Sequence, residues 1–303
     1  MKKNLTAVRQ AAPRPIGIFD SGIGGLTVFK AVRRGLPDED IVYFGDTARV
    51  PYGTKSKETI TKFSIENVNF LQSFNVKMVV VACNTASSLS LEALQRKFTM
   101  PVVGVIEPGA RAAIRRTKTG RIGVIGTKST IGSNAYETWL KRLDPNVSVY
   151  SSACPLFVPF VEEGWTEGEV IAKVARAYLA PFKNFKIDTL ILGCTHYPLL
   201  APVIQKIVGH KVRLINSGEE TAKEAGRLLL KMGLASPSRA KAPEPHFYVS
   251  DEPEQFRALG ERFLGRAIPS VAKISEHFSL QQFDRRVNAQ TRTLATAQRL
   301  QRV

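Results

Sequence analysis

Long apolar segments are missing from this chain of 303 residues. No window approaches the roughly 18 to 20 uninterrupted apolar residues that a membrane-spanning helix needs. The N-terminus, Met1 to Leu5, also lacks the apolar stretch of a secretory signal. We therefore expect a cytoplasmic protein that does not span a membrane.

Cysteine is scarce as well. The three cysteines, Cys83, Cys154 and Cys194, are an odd number, and none of them has CxxC spacing. A disulfide framework is therefore not expected, and neither is a zinc site built on paired cysteines. In a reducing compartment all three should be free thiols.

Acidic residues are few, with 26 Asp and Glu against 43 Lys and Arg, so the formal net charge is +17. Such a basic chain is attracted to nucleic acids and anionic membranes whatever its fold. No recognised nucleic-acid-binding motif accompanies the charge, and we keep a basic nucleic-acid-binding protein as an alternative only. Much of the charge lies near the two ends and in one central stretch: Lys2, Lys3, Arg9, Arg14, Arg111–Lys128, Arg285, Arg286, Arg292, Arg299 and Arg302.

What is present is a regular alternation of short β-branched runs and helical patterns. Apolar residues spaced at three and four over Ser56–Phe74 and Glu167–Phe182 predict helices that cover a sheet. This alternation predicts an α/β fold with parallel strands. The predicted strands include Ile16–Phe19, Ile41–Phe44, Met78–Val81, Val102–Val105, Ile122–Ile125 and Leu190–Leu192.

A weak internal repeat relates two halves of the chain. In each half an early strand end (Asp20, Thr127) is followed, after a similar interval, by a strand that ends at a cysteine (Cys83, Cys194). We predict two similar parallel-sheet α/β domains with pseudo-twofold symmetry and the active site in the cleft between them. The predicted segments are 15–107 plus 217–264 for the first domain, 108–216 for the second, and 1–14 and 265–303 for basic extensions. Proline and small residues over 235–245 predict an exposed linker.

Cys83 and Cys194 are the candidate reactive groups. Each leaves an apolar strand and is followed at once by polar residues, which a core position would not need. A thiol can donate or accept a proton, so a pair on opposite faces of a substrate suits racemisation. Three alternatives remain: burial as small hydrophobes, which we assign to Cys154; a disulfide; and a Cys-His nucleophile with His196 as its base, although such partners usually come from separate elements.

The segment Asp20–Gly25 follows the first strand and opens a helix, where backbone amides can bind an anion. Its glycines do not fit GxGxxG, and the carboxylate of Asp20 would repel a pyrophosphate, so a nucleotide cofactor is disfavoured. A simple helix cap by Asp20 or Ser21 is the ordinary alternative.

Together these segments closely resemble glutamate racemases of the aspartate/glutamate racemase superfamily, over about Pro15 to Gly233. The motifs that carry the resemblance are Gly17–Leu26, Tyr43–Asp46, Pro51–Gly53, Ala82–Ala86 and Leu192–Pro198. The resemblance implies interconversion of L- and D-glutamate without a cofactor or metal, D-glutamate supply for bacterial peptidoglycan, and a homodimer. Aspartate and hydantoin racemases of the same superfamily are the nearest alternatives.

The resemblance also implies roles for individual residues. Cys194 would take the proton from the L-isomer and Cys83 from the D-isomer, while Asp20, His196 and Glu162 tune or relay protons. A surface charge at Glu162, a packing role for Tyr52 and a helix cap at Thr127 and Thr130 are the plainer interpretations. The implied substrate contacts are Asp20, Ser21, Tyr52, Gly53, Asn84, Thr85, Thr127, Thr130, Thr195 and His196.

Overall fold

The computed structural model describes residues 14–274, and the basic ends outside that range are not described. Its strands are β1 Ile16–Asp20, β2 Ile41–Gly45, β3 Met78–Val81, β4 Val102–Gly104, β5 Arg121–Gly126, β6 Ser148–Ala153, β7 Thr189–Gly193, β8 Arg213–Asn216, β9 His246–Val249 and β10 Ala272–Lys273. Its helices are α1 Leu26–Gly35, α2 Lys57–Gln72, α3 Asn84–Lys97, α4 Ile106–Arg116, α5 Lys128–Gly132, α6 Ala135–Leu143, α7 Phe157–Glu162, α8 Glu169–Phe185, α9 Ala201–Val208, α10 Ser217–Lys231 and α11 Pro253–Leu264. Across residues 14–274, no helix has the length and apolar character to span a membrane.

The strands form two parallel sheets. The first sheet has the order β10-β9-β2-β1-β3-β4 and the second has the order β6-β5-β7-β8. Every paired strand runs parallel to its neighbour. The predicted α/β class is confirmed.

The internal repeat is visible in the strand order. Within the first sheet, β2-β1-β3-β4 has the same order as β6-β5-β7-β8 in the second. In this order the chain leaves β1 toward β2 on one side and later places β3 on the other side. Open parallel sheets bind ligands at the carboxyl ends of strands at such a reversal. The ends of β1 and β3 in one sheet, and of β5 and β7 in the other, are therefore the favoured positions for a site.

The central strands of both sheets are buried because helices cover both faces. All residues of β1, β2, β3 and β7 are buried. Their isoleucine, valine and leucine side chains suit a strand that is covered on both faces. This rigid core fixes the strand ends, and so fixes the side chains that follow them.

The boundaries predicted for the two domains remain a prediction. Apart from β10, the strands of each sheet come from the segments predicted for one domain. At the C-terminal end the structure differs from the sequence interpretation. Ile268 is buried, and β10 pairs with β9 at the edge of the first sheet. Residues 265–274 are therefore part of the fold, although they were predicted to begin a basic extension. The apolar signal there is only a few residues long, which explains why it was missed.

The predicted linker, residues 235–245, contains no helix or strand, but it is anchored. Lys77 and Glu39 form a buried ion pair of 2.5 Å beneath it. Lys77 Nζ donates to the carbonyl of Leu234 at 2.7 Å, and the backbone N–H of Ser236 donates to Glu39 at 2.8 Å. Because Lys77 and Glu39 pair with each other and also form hydrogen bonds with the linker backbone, the linker follows a fixed path back to the first sheet.

Candidate active site

Cys83 and Cys194 line one cleft between the two sheets. Cys83 follows β3 and caps α3, while Cys194 directly follows β7, the matching strand of the second sheet. Both side chains are largely buried, and the cleft has a volume of about 460 Å³. That volume lies within the roughly 300 to 1,000 Å³ range of small-molecule sites.

The surroundings of Cys83 favour its protonated form. Burial, and after it the charge of Asp20, raises the pKa of the Cys83 thiol to about 12. The backbone N–H of Ala86 approaches Sγ at 3.5 Å and opposes this shift, as does Ser21, whose hydroxyl lies 3.8 Å from Sγ. At neutral pH Cys83 therefore holds its proton and can act as an acid.

Asp20 lies behind Cys83 at the end of β1. It is fully buried and does not itself line the cleft. One carboxylate oxygen accepts from the N–H of Gly22 at 3.0 Å, and the other has no hydrogen-bond partner among residues 14–274. Burial raises the pKa of Asp20, although His196 and the backbone N–H groups of the loop act against that shift. Asp20 is thus placed to influence Cys83 rather than to contact a ligand in the cleft.

Cys194 has a different partner set. Its Sγ lies 3.8 Å from Nδ1 of His196, and Nε2 of His196 lies 2.9 Å from Oε1 of Glu162. Burial lowers the pKa of His196, but the hydrogen bonds with Cys194 and Glu162 outweigh it and raise that pKa to about 10. A protonated imidazole is a donor to the sulfur and a source of protons for it.

The loop after β1 reaches across to this second half of the site. Thr27 Oγ1 donates to the carbonyl of Thr195 at 2.8 Å. A Cβ atom on Gly24 would lie 2.3 Å from Thr195 Oγ1 and 2.4 Å from the His196 ring. Only glycine therefore permits this close approach of the loop to His196.

Three threonine hydroxyls meet where the two halves touch. Thr85 Oγ1 lies 3.0 Å from Thr127 and 3.3 Å from Thr130, which are themselves 2.9 Å apart. Thr127 also caps α5 by accepting from the N–H of Thr130 at 3.1 Å, so the capping interpretation applies to it as well. Thr85 and Thr127 line the cleft, whereas Thr130 lies behind them.

Asn84 presents an unpaired donor beside Cys83. Its Oδ1 accepts from the hydroxyl of Tyr136, in α6 of the other half, at 2.7 Å. Its Nδ2 is buried and has no hydrogen-bond partner within the described range. Because a buried, unpaired amide N–H is costly, this group is suited to bind an acceptor on a ligand. Tyr136 was missed by the sequence analysis because no local motif distinguishes it.

Tyr52 lines the cleft with its ring and backbone, but its hydroxyl is used elsewhere. The hydroxyl donates to buried Asp46 and accepts from Asn67 Nδ2 at 3.1 Å. Arg49 binds the same Asp46 carboxylate. The predicted substrate contact at Tyr52 remains a prediction, and in this geometry it would use the ring or the backbone rather than the hydroxyl. The neighbouring Gly53 accepts from Ser129 Oγ at 2.7 Å, which joins the two cleft walls.

Most of the predicted site residues surround the same cleft. Asp20 and Thr130 are the two that do not line it. Cys154 lies fully buried in the core, as its assignment to a packing role predicts. The predicted residues that line the cleft are Ser21, Tyr52, Gly53, Cys83, Asn84, Thr85, Thr127, Glu162, Cys194, Thr195 and His196.

Other cleft residues were not predicted. Lys128 is an exposed cation at one wall, at the start of α5. Across residues 14–274, no group of three His, Cys, Asp or Glu side chains could hold a metal ion. An apolar rim completes the cleft, formed by Val50, Pro51, Pro155, Val158 and Pro159.

Comparison with known proteins agrees with this geometry. The family model described as Asp/Glu/Hydantoin racemase matches residues 16–225. The glutamate racemase of Geobacter metallireducens is 53% identical over 262 residues, which cover 86% of this chain and 97% of that protein.

Two solved structures have the same fold. A glutamate racemase isoform of Bacillus anthracis superposes with a TM-score of 0.84 at 45% identity, covering 87% of this chain and 98% of that one. The glutamate racemase of Francisella tularensis, solved with D-glutamate, superposes with a TM-score of 0.80 at 43% identity, covering 86% and 97%. The family resemblance carried by the strand-end motifs is confirmed, and the chain belongs to the Asp/Glu/hydantoin racemase family.

Proposed function

We propose that this isomerase interconverts L- and D-glutamate by a two-base mechanism in which Cys83 and Cys194 act on opposite faces of the α-carbon. The observation that carries the proposal is the placement of both thiols in one cleft, each at the end of the matching strand of its own sheet. Relatives that share about half of the sequence over most of its length are glutamate racemases, which supports the choice of substrate.

The chemistry balances with the two thiols alone. The thiolate of one cysteine takes the α-proton from one face, and the thiol of the other delivers a proton to the opposite face. Each turnover therefore exchanges the protonation states of Cys83 and Cys194. His196, beside Cys194, and Asp20, beside Cys83, are placed to restore the starting state by relaying protons.

The two thiols face different groups before the reaction begins. Cys83 holds its proton because burial and the nearby Asp20 charge raise its pKa to about 12. Cys194 instead faces the His196 ring, which carries a positive charge at neutral pH. This resting arrangement suits the L-to-D direction, in which Cys194 removes the proton and Cys83 supplies one.

On the Cys83 side of the cleft, substrate binding would rest on neutral donors. Asn84 Nδ2 is an unpaired donor, and the hydroxyls of Ser21, Thr85 and Thr127 and the backbone near Gly53 line the same wall. Hydrogen-bond donors aimed at a carboxylate also stabilise the extra negative charge that develops when the α-proton leaves. Closure of the two halves over glutamate, which excludes water, belongs to the same proposal.

The proposal extends to the compartment, the oligomeric state and the use of the product. We infer a cytoplasmic homodimer that supplies D-glutamate for peptidoglycan in a bacterium. The curated relatives come from bacteria such as Geobacter metallireducens and Neisseria meningitidis. Light scattering on the purified protein tests the dimer by its mass in solution.

The decisive experiment follows circular dichroism of L-glutamate over time, without added cofactor. Wild type should abolish the optical signal, while Cys83→Ala and Cys194→Ala should not. Cys154→Ala is the matched control, because that thiol is buried in the core outside the cleft, and it should retain activity. Absence of change with wild type would refute the glutamate assignment, and activity with aspartate or a hydantoin would then identify the related substrate. Full activity of either cleft variant would refute the two-thiol mechanism.

A further inference from the structure

Helix α11 contacts the Cys194 half of the site from the other half of the molecule. It follows β9 of the first sheet and packs against α1. Near its C-terminal end, Arg262 Nη2 donates to the carbonyl oxygen of Glu162 at 3.0 Å. The next residue, Phe263, meets the His196 ring edge-on with centroids 5.7 Å apart. Two consecutive residues of α11 therefore contact the two groups that stand behind Cys194.

Glu162 needs an anchor if it is to hold His196. It is the last residue of the six-residue helix α7, and its side chain is 41% exposed. An exposed carboxylate is easily hydrated and holds a partner weakly on its own. The carbonyls of a last helical turn lack intrahelical partners, and a cation is favourable there. Arg262 donates a hydrogen bond to the carbonyl oxygen of Glu162 itself. This bond fixes the backbone from which the Glu162 side chain extends.

The turn after α7 is shaped to receive the guanidinium. A Cβ atom on Gly164 would lie 2.7 Å from Arg262 Nη1. Gly164 also has φ of +81°, a conformation that L side chains rarely adopt. The absence of a side chain at Gly164 therefore permits both the turn conformation and the close approach of the Arg262 guanidinium.

We propose that Arg262 is a positioning residue for proton transfer at Cys194. The path is a series of direct contacts: Arg262 holds the carbonyl of Glu162, Glu162 Oε1 lies 2.9 Å from His196 Nε2, and His196 Nδ1 lies 3.8 Å from Cys194 Sγ. Cys83 is approached by Ser21 and Ala86 instead. Arg262 thus acts on one half-reaction, and this inference rests on the proposed two-thiol function.

The two half-reactions can be separated by isotope effects. Enantiomers have equal free energies in water, so any variant must lower kcat/KM equally in both directions. Cys194 takes the α-proton of L-glutamate, whereas Cys83 takes that of D-glutamate. If proton transfer at Cys194 slows, cleavage of the substrate's Cα–H bond therefore limits the reaction of L-glutamate but not that of D-glutamate. The deuterium isotope effect should then grow for α-deuterated L-glutamate and shrink for α-deuterated D-glutamate.

The test compares Arg262→Gln with Arg257→Gln by initial rates with both deuterated enantiomers. Arg257 is the matched control because it lies on the same helix and, among residues 14–274, its ion pair is with exposed Glu254 one turn away. We expect kcat/KM of Arg262→Gln to fall about 10- to 100-fold, the scale for a small misplacement of catalytic groups. Arg262→Lys should recover part of the loss, since an ammonium can still donate to the Glu162 carbonyl. Thermal unfolding should be similar for the two glutamine variants, because both side chains are exposed.

Each outcome has one meaning. A large loss with isotope effects that diverge between the enantiomers supports the positioning role. Rates equal to those of Arg257→Gln, or isotope effects that change alike for both enantiomers, overturn it while leaving the two-thiol function intact. A wild-type protein that does not racemise glutamate refutes the proposed function, and this inference with it.

Discussion

Tyr136→Phe isolates the hydroxyl that orients Asn84. Tyr136 belongs to α6 in the second half, and its hydroxyl donates to Asn84 Oδ1 at 2.7 Å. Both side chains are about 2% exposed. With Oδ1 occupied, the Nδ2 donor is left without a hydrogen-bond partner in the part of the chain described. Phenylalanine keeps the ring and removes the hydroxyl, which also has a hydrogen-bond contact with Ser217.

The expected magnitude follows from two effects. The lost hydrogen bond should lower the free energy of unfolding by about 0.5–1.5 kcal/mol, and an amide acceptor left buried and unpaired costs about 1–3 kcal/mol. Without the Tyr136 hydroxyl this contact no longer fixes the orientation of the Asn84 amide, and a turned amide would direct its oxygen toward the substrate carboxylate. A loss of about 1–2 kcal/mol in substrate binding raises KM roughly 5- to 30-fold. We expect a smaller change in kcat because neither thiol is touched.

The assay measures KM and kcat for both enantiomers by circular dichroism, together with urea unfolding. Tyr150→Phe is the matched control. Tyr150 lies in β6 and does not line the cleft, and its ring stacks on that of Phe185. A Tyr136→Phe protein with wild-type KM and a lowered free energy of unfolding would refute the reasoning. The hydroxyl would then be structural, and Asn84 would not bind the substrate.

Three further predictions concern the surroundings of the thiols. Tyr52→Phe should lower the free energy of unfolding by about 1 kcal/mol with little change in KM, because its hydroxyl binds buried Asp46; a raised KM without a stability change would contradict this. Gly24→Ala should lower kcat/KM at least about 10-fold, since its Cβ would lie 2.4 Å from the His196 ring. Gly132→Ala, where a Cβ meets nothing within 4 Å, is its control, and equal activities would count against the close approach. Finally, the pKa of His196 is raised from 6.5 to about 10 in the folded protein, so its stabilising contribution is complete below pH 6.5 and lost as pH rises toward 10. The free energy of unfolding should decline over that range in denaturation series, and a His196→Asn protein with the same decline would refute the assignment.

Local patterns were enough to predict the framework of the fold. The helix predicted over Ser56–Phe74 is α2, Lys57–Gln72, and the strand predicted over Met78–Val81 is β3 with the same bounds. These elements could be predicted because each has a strong apolar period and a clear start or end. The matching strand ends likewise indicated a repeat, since side chains that follow parallel strands meet at one edge of a sheet.

Contacts between distant parts of the chain could not be predicted in this way. Tyr136 and Asn84, and Arg262 and Glu162, lie far apart in sequence and join elements of different halves. No local spacing specifies such pairs, because they depend on how the two sheets face each other. The direction of the Tyr52 hydroxyl depends instead on the path of the chain between β2 and α2, which brings Asp46 and Asn67 to it.

The two halves repeat a strand order, yet their cysteines work in unlike surroundings. Cys83 caps a helix of 14 residues beside the carboxyl group of Asp20, whereas Cys194 faces the imidazole of His196. Equal free energies of the enantiomers require equal kcat/KM in the two directions, but they place no such limit on kcat or KM alone. Unlike partners can therefore set different resting protonation states and different saturation behaviour for L- and D-glutamate. For this reason the asymmetry should be sought in kcat and KM separately, and a protein with identical kcat values in both directions would show that the partners of the two thiols compensate each other.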